Sequence, residues 1–225
     1  GGAILGDRVR MSELALDPGV FIRSMATRGA VGGMAHSALD VVDTLDVAGF
    51  DVVVVETVGV GQDEVEIANA SHTTVVVSAP GLGDEIQAIK SGILEIADIH
   101  VVSKCDRSDS NRTLTDLKSM LKDQRPREGN WHPPVVGVSS LADTGFAELI
   151  AALAQHRDRI TGAGGNGRRH AIAAFRLAKT AETLALERLD RALKHNVPGV
   201  SQSIAERRAD PYGAASKLIH ELMGS

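Results

Sequence analysis

The stretch Asp51–Asp63, DVVVVETVGVGQD, decides the fold that the sequence predicts. Its valines run without interruption over Val52–Val55, which is typical of a strand buried on both faces of a parallel sheet. Glu56 follows at once, and Gly59 and Gly61 lie in the turn behind it. Open α/β sheets bind phosphates and metals just beyond the carboxyl ends of their strands. The stretch therefore indicates either a functional loop at a strand end or an ordinary core strand followed by a glycine turn.

The same pattern of an apolar run followed by a glycine or polar loop recurs along the chain. Further strands are predicted at Thr73–Ser78, Ile99–Ser103 and Val135–Val138, and amphipathic segments between and after them indicate helices. Strands that alternate with helices predict an α/β fold with a mostly parallel, doubly wound sheet. Because parallel strands end at the same edge, we expect the loops after them to meet there.

The last third of the chain has a different character. Thr161–Gly167, TGAGGNG, has the composition of a flexible linker. Apolar residues near heptad spacing indicate a long helix over Arg168–Asn196, which Asn196–Gly199 (NVPG) should end. The apolar seam of this helix either packs within the chain or binds a second copy. The predicted organisation is a sheet domain over residues 1–160, a linker over 161–167 and a helical arm over 168–225.

Composition narrows the classes of function. The net charge of −5 and an aromatic content of 3% disfavour a nucleic-acid surface. The sequence contains no apolar run long enough for a transmembrane helix, so no membrane association is expected. Cys105 is the sole cysteine, which excludes an intramolecular disulfide and fits a reducing compartment. We therefore expect a cytoplasmic protein.

Two of the predicted loops carry residues suited to a nucleotide base. Asp106, in the run Ser103-Lys104-Cys105-Asp106, can accept from N1–H and the N2 amine of guanine, a donor pair that adenine lacks. Lys104 can lay its aliphatic stem along the base or the ribose. The other of these two loops, Ser139-Ser140-Leu141, offers backbone N–H groups to guanine O6. Together with a strand-end acid at Glu56, these loops indicate the later half of a GTP-binding domain.

The amino-acid sequence of several stretches resembles that of the MeaB/ArgK-type G proteins, the GTPase chaperones of adenosylcobalamin-dependent methylmalonyl-CoA mutase. The resemblance extends over almost the whole chain and is most specific where ETVGVGQ is followed by PGLGDEIQAIKSGI. It implies a P-loop-NTPase-like sheet of the SIMIBI type with a C-terminal helical dimerisation arm. The matching stretches are GGAILGDRVRM (1–11), AGFDVVVVETVGVGQDE (48–64), PGLGDEIQAIKSGILEIAD (80–98) and WHPPVV (131–136).

The resemblance assigns roles to the switch regions of the chain. Glu56 and Gly59 match the switch II positions that sense Mg²⁺ and the γ-phosphate. Asp7 matches the switch I acid that approaches the metal. Gln87 and Lys90 match polar residues of an additional switch, through which the client mutase stimulates GTP hydrolysis. The resemblance thus implies Asp7 and Glu56 as metal ligands and Glu56, Gln87 and Lys90 as the catalytic switch residues.

The resemblance also assigns a base-binding site. Ser103, Lys104 and Asp106 stand where the family has its NKxD motif, and Ser139-Ser140-Leu141 stands where it has its last base loop. Ser103 replaces the family's asparagine, and because a hydroxyl offers one donor, weaker guanine preference is expected. The implied ligands are GTP or GDP with Mg²⁺.

A second departure concerns the phosphates. The phosphate-binding sequence GxxxxGK[ST] does not occur in the 225 residues. Either a longer protein supplies it or the chain works without it. For the chain as printed we expect weak GTP binding and negligible hydrolysis, because the β- and γ-phosphates lack their main ligands.

Three functions are compatible with these features. The first is a GTP-hydrolysing chaperone that gates cobalamin loading and protection of an acyl-CoA mutase, working as a homodimer. The second is a non-hydrolysing dimeric scaffold that docks a mutase. The third is a related metallochaperone-type GTPase, which the absence of Cys/His clusters in the sequence disfavours.

Overall fold

The structure of the chain is a computed structural model, which describes residues 11, 14–25, 33–57, 62–81, 93–122, 130–162 and 166–223. A short 3₁₀ turn at Leu14–Leu16 precedes the regular elements. In chain order these are α1 (Gly33–Val47), α2 (Gln62–Ala70), β1 (Val75–Ser78), α3 (Ile93–Ile96), β2 (Ile99–Val102), α4 (Ser110–Lys122), β3 (Val135–Gly137), α5 (Phe146–Thr161), α6 (Asn166–Ala205) and α7 (Pro211–Met223).

The described strands form one parallel sheet in the order β1–β2–β3. The central strand β2 is buried along its whole length, because a helix packs against the side chains on each of its two faces. Ile99 and Val101 pack with Ala152 of α5, whereas Val102 packs with Leu117 of α4. The sheet therefore has a helix on each face, and the prediction of an α/β fold with a parallel sheet is confirmed.

The prediction of a buried strand at Val52–Val55 is wrong. Residues 52–57 form no strand, and the side chains of Val52 and Val54 are 76% and 85% exposed. Valine favours an extended backbone, but a strand is buried only when neighbouring backbones complete its ladder. Among the described residues the sheet ends at β1, and Val52–Val55 adds no further strand to it.

Helix α6 is longer than the sequence predicts. It continues from Asn166 to Ala205, through the Asn196–Gly199 segment that was expected to end it. Proline removes one backbone donor, yet its fixed φ lies within the helical range. The turns on either side of Pro198 therefore stay helical, and the prediction of a helix end at this point is wrong.

The chain divides into two compact units, residues 1–54 with 176–225 and residues 55–175. In the first unit, Arg176 of α6 forms an ion pair with Asp43 of α1, and this contact raises the pKa of the Arg176 guanidinium. Phe21 and Phe50 are in ring contact in the same unit, with centroids 6.4 Å apart. The second unit contains the sheet. The predicted domain boundaries at residues 160 and 168 stay a prediction.

A buried polar cluster fixes the amino ends of the strands in the second unit. Asp98 accepts a hydrogen bond from the Thr74 N–H at 2.9 Å, and its backbone oxygen accepts from the Trp131 indole at 2.9 Å. His156 of α5 lies 2.8 Å from the Thr73 hydroxyl and 3.6 Å from the Asp98 carboxylate. These contacts tie the starts of β1 and β2 to α5.

None of the described helices is both long enough and apolar enough to cross a bilayer.

Candidate functional site

The carboxyl ends of β1, β2 and β3 meet at one edge of the sheet, as the sequence predicts. Ser103 follows β2, and both its N–H and its hydroxyl donate to the backbone oxygen of Ser78, the last residue of β1, at 2.8 and 3.0 Å. The N–H of Cys105 donates to the backbone oxygen of Val138 at 3.0 Å. The loop after β2 is therefore hydrogen-bonded to the strand ends on both sides of it.

Asp106 and Ser139, on neighbouring loops, form the central polar contact of this edge. The fully buried Ser139 donates its hydroxyl to one carboxylate oxygen of Asp106, whose side chain is otherwise exposed. This hydrogen bond, followed by the Asp106 backbone, lowers the pKa of the carboxyl group below its ordinary value. Asp106 is thus a fixed, ionised acceptor that faces solvent.

Ser139 also organises the loop after β3. Its hydroxyl oxygen accepts from the Ala142 N–H at 3.1 Å, and its backbone exchanges hydrogen bonds with Thr144 at 3.0 and 3.1 Å. The N–H of Ser139 is therefore committed within the protein, whereas the sequence predicts it among the donors to a base. Ser140 and Leu141 project from the loop, and their N–H groups bind no other described residue.

Two glycines make room for this arrangement. Gly145, which precedes α5, has φ of +82°, and a side chain there would place its Cβ 1.9 Å from the backbone oxygen of Gly137. At Gly137 itself a Cβ would lie 2.9 Å from the Cys105 sulfur and 3.1 Å from Leu114. The loop before α5 and the Cys105 side chain approach β3 this closely only because both positions lack side chains.

The loop after β2 carries two further features. Lys104 adopts a left-handed backbone with φ of 54°, which turns the chain sharply between Ser103 and Asp106. Arg107 and Asp109 form an ion pair at 3.0 Å that lies against Gly81 of the loop after β1. The loops after β1 and β2 are therefore in contact beyond the strand ends.

The structure brings together six of the predicted site residues, all of them in the base-binding set. They are Ser103, Lys104, Asp106, Ser139, Ser140 and Leu141. Glu56 is described and exposed. The other predicted residues, namely Asp7, Gly59, Gln87 and Lys90, lie outside the described residues.

The described part of the chain brings no three or more His, Cys, Asp or Glu side chains together as a metal site. Mg²⁺ is commonly held by one or two carboxylates together with phosphate oxygens and water. An exposed carboxylate such as Glu56 fits that requirement as one ligand. Asp7 stays a prediction as the second.

Sequence reasoning missed the residues that support the site. Thr144 pairs with Ser139, and Gly145 provides the close approach to β3. The glycine at 145, directly before an apolar helical pattern, was a detectable signal for a turn. The backbone oxygen of Ser78, which accepts twice from Ser103, has no signal in the sequence, because every residue carries such an oxygen.

The arrangement suits one class of ligand. Asp106 presents an ionised acceptor to a group with adjacent N–H donors, and the N–H groups of Ser140 and Leu141 can donate to a carbonyl oxygen beside them. Guanine carries that combination on one edge, through N1–H, the N2 amine and O6. Adenine presents an unprotonated N1 and an amine at those places, so it fits neither group.

Comparisons with known proteins point in the same direction. The family profile described as "Methylmalonyl Co-A mutase-associated GTPase MeaB" matches residues 1–196. A Pyrococcus abyssi protein named as a GTPase is 38% identical over 231 residues, covering 100% of this chain and 70% of the relative.

Two further relatives match over a shorter span. GTPase ArgK of Escherichia coli is 35% identical over 73% of this chain and 50% of its own length. The mitochondrial methylmalonic aciduria type A homolog of Caenorhabditis elegans is 36% identical over 75% of this chain and 43% of its own length.

Proposed function

Because the chain belongs to the MeaB family of methylmalonyl-CoA mutase-associated GTPases, we propose that its strand-end loops bind the guanine base of GTP and GDP. In this proposal the bound nucleotide controls a switch that gates cobalamin loading and protection of an acyl-CoA mutase. Asp106 selects the base, Lys104 covers it or its ribose, and Ser140 and Leu141 bind O6. Ser103 and Ser139 shape the site through their contacts with Ser78 and Asp106.

The observation that carries the proposal is the hydrogen bond from Ser139 to Asp106. An exposed carboxylate ordinarily samples several rotamers, which weakens any single hydrogen bond that it makes to a ligand. Here a buried hydroxyl fixes one oxygen and leaves the other facing solvent. The site therefore holds its selective group in place before the base arrives.

Asp106→Asn tests this assignment by replacing one of the two acceptor oxygens of the side chain with an NH2 donor group. Its amide can donate to the C2 carbonyl of xanthine, where guanine has an amine. We expect GDP to bind about tenfold more weakly or worse and XDP to bind more tightly than in the unchanged chain. Ligand-observed NMR with GDP, XDP and ADP measures these changes in the millimolar range.

The matched control is Asp143→Asn, which removes the same charge from an exposed position on the neighbouring loop. It should leave the order GDP over XDP unchanged. Unaltered base preference in Asp106→Asn, or equal binding of ADP and GDP by the unchanged chain, would contradict the proposed site.

Phosphate and metal binding form the next part of the proposal. Glu56 and Asp7 would hold Mg²⁺, and Gly59 would let the backbone approach the γ-phosphate. Gln87 and Lys90 would respond to the client mutase. Hydrolysis also needs a phosphate-binding loop, and GxxxxGK[ST] is not present in the printed residues. For the chain as printed, we therefore propose base recognition with negligible turnover.

A homodimer through the helical arm is proposed from the apolar surface of α6. Leu186, Leu193 and Val200 follow each other at heptad spacing and are 48%, 39% and 39% exposed. A stripe of this kind suits a second helix of the same type.

Leu193→Glu should convert a dimer into a monomer in analytical ultracentrifugation. Leu177→Glu, at a position 73% exposed on another side of the helix, serves as its control. A chain that is monomeric before mutation, or equal effects of the two substitutions, would argue against this interface.

Association with the client is tested by capture of an acyl-CoA mutase. The chain immobilised with GDP or with a non-hydrolysable GTP analogue should retain an adenosylcobalamin-dependent mutase. The retained amount should differ between the two nucleotides if the switch reaches the client. Equal retention would support docking without nucleotide control.

A further inference from the structure

Arg168, near the start of α6, binds the last turn of α2. Its Nη2 donates to the backbone oxygens of Ala68 and Ser71 at 3.0 and 2.6 Å, and its Nε donates to the Ser71 oxygen at 3.1 Å. All three residues belong to the second compact unit. One side chain therefore joins two helices that lie far apart in the sequence.

The shape of the guanidinium makes this contact selective for a formed helix end. Its donors lie in one plane at a fixed spacing. The oxygens of Ala68 and Ser71 are presented together because the Ser71 N–H closes the turn onto the Ala68 oxygen at 3.2 Å. If that turn opens, the two oxygens separate and Arg168 keeps only part of the contact. Arg168 therefore binds α2 in its helical state.

Charge strengthens the contact. The carboxyl end of a helix carries partial negative charge on carbonyl groups that have no partner within the helix. The last turn of α2 contains no basic residue of its own, so the positive charge at this end comes from α6. Arg168 is half-buried, which limits the screening of the interaction by salt.

The positions of the two helices in the chain give the contact a functional meaning. Helix α2 begins at Gln62, shortly after Glu56 and Gly59, which the proposed function assigns to Mg²⁺ and the γ-phosphate. Helix α6 opens the proposed arm and continues as one helix to Ala205. Arg168 thus connects the helix that follows the proposed phosphate site to the helix that leads into the arm.

We propose that Arg168 couples α2 to α6, so that the last turn of α2 and the first turns of α6 form and loosen together. Through this coupling a change at the proposed phosphate site reaches the start of the arm. The relay rests on the proposed function, because Glu56 and Gly59 supply its signal. The coupling itself needs no nucleotide and is measurable on the chain as printed.

Amide hydrogen exchange, followed by NMR on the full chain, tests the contact in Arg168→Ala. The amides to follow are those with partners inside each helix, residues 66–70 of α2 and 170–175 of α6. Loss of hydrogen bonds from a charged group should speed exchange in both sets about tenfold.

Two further variants calibrate this result. Arg169→Ala is the matched control, because it removes the same kind of side chain from the exposed neighbouring position and should leave both sets unchanged. Arg168→Lys keeps the positive charge at the end of α2 but loses the planar pair of donors. Its exchange rates should therefore fall between those of Arg168→Ala and the unchanged chain.

A substitution in α2 distinguishes coupling from a purely local role of Arg168. Asn69→Pro, at an exposed position, disrupts the last turn of α2 and should speed exchange over residues 170–175 about tenfold. Combined with Arg168→Ala it should add nothing further there, because the link is already broken. Asn69→Gly loosens the same turn more gently and replaces the proline variant if that variant does not fold.

The outcomes separate the inference from the proposed function. If Asn69→Pro or Asn69→Gly leaves residues 170–175 unchanged, or if its effect multiplies with that of Arg168→Ala, Arg168 does not couple the helices and the inference is wrong. Guanine recognition is untouched by that result. If the coupling is found but GDP, XDP and ADP bind equally or not at all, the proposed function fails, and the relay fails with it for want of a signal.

Discussion

Two apolar runs of nearly the same character have opposite environments in this molecule. Ile99–Val102 is buried at every residue, whereas Val52 and Val54 in the run Val52–Val55 are among its most exposed apolar side chains. Each run is followed by an acid in a loop that is expected to bind nucleotide. The local sequence therefore does not account for the difference.

Strand pairing accounts for the difference in exposure between the two runs. β2 has a parallel neighbour on each side and a helix on each face, so both its backbone groups and its side chains are covered. Val52–Val55 has no strand partner among the described residues. A run of valines gives a segment the ability to be a strand, and the neighbouring backbones decide whether it becomes one.

The largest difference in stability should come from replacing glycine by alanine at two positions of positive φ, Gly145 and Gly49. Gly145→Ala should destabilise the chain by about 3 kcal/mol or more, because a Cβ there would lie 1.9 Å from the Gly137 oxygen. Gly49→Ala, just before the exposed run, meets no atom within 4 Å and should cost about 1 kcal/mol, the cost of a left-handed backbone alone.

Thermal unfolding followed by circular dichroism measures both glycine variants. Equal losses would mean that the loop before α5 can move away from β3. The close approach would then not be a requirement of the site.

A smaller contrast is expected from valine to alanine in the two runs. Val102→Ala removes side-chain volume from the contact with Leu117 and should lower the free energy of unfolding by about 2 kcal/mol. Val54→Ala changes a side chain that is 85% exposed and should stay within about 0.5 kcal/mol.

Urea unfolding suits these two variants. The fluorescence of Trp131, the sole tryptophan, reports on the unit that contains β2, and circular dichroism reports on the whole chain. A large loss from Val54→Ala would show that the run Val52–Val55 is covered in solution, as the sequence first suggested.

The same contrast explains how much could be predicted from the sequence. The three strands of the sheet and the polar loops after two of them follow from short apolar runs with polar ends, which are local signals. The exposure of Val52 and the path of α6 through Pro198 depend on neighbouring backbones, which no local pattern contains. The hydrogen bond from Ser103 to Ser78 also depends on a neighbouring backbone, because its acceptor is a main-chain oxygen on another strand.

The smallest expected effect concerns the acid after the buried run. The hydrogen bond from Ser139 lowers the pKa of Asp106 below its ordinary value of 3.8, so Ser139→Ala should move the midpoint of its titration up towards that value. Because the pKa is lowered in the folded chain, the stabilisation is present above the ordinary value and is lost as the pH falls through the lowered one.

Carbon-13 NMR of the Asp106 carboxyl group follows this titration directly. Ser140→Ala is the control, because Ser140 is the exposed neighbour of Ser139 and Asp106 takes its hydrogen bond from Ser139. An unchanged midpoint in Ser139→Ala would mean that the buried hydroxyl does not hold the carboxylate. Asp106 would then resemble Glu56, an exposed acid for which no hydrogen bond to another described residue holds the carboxylate.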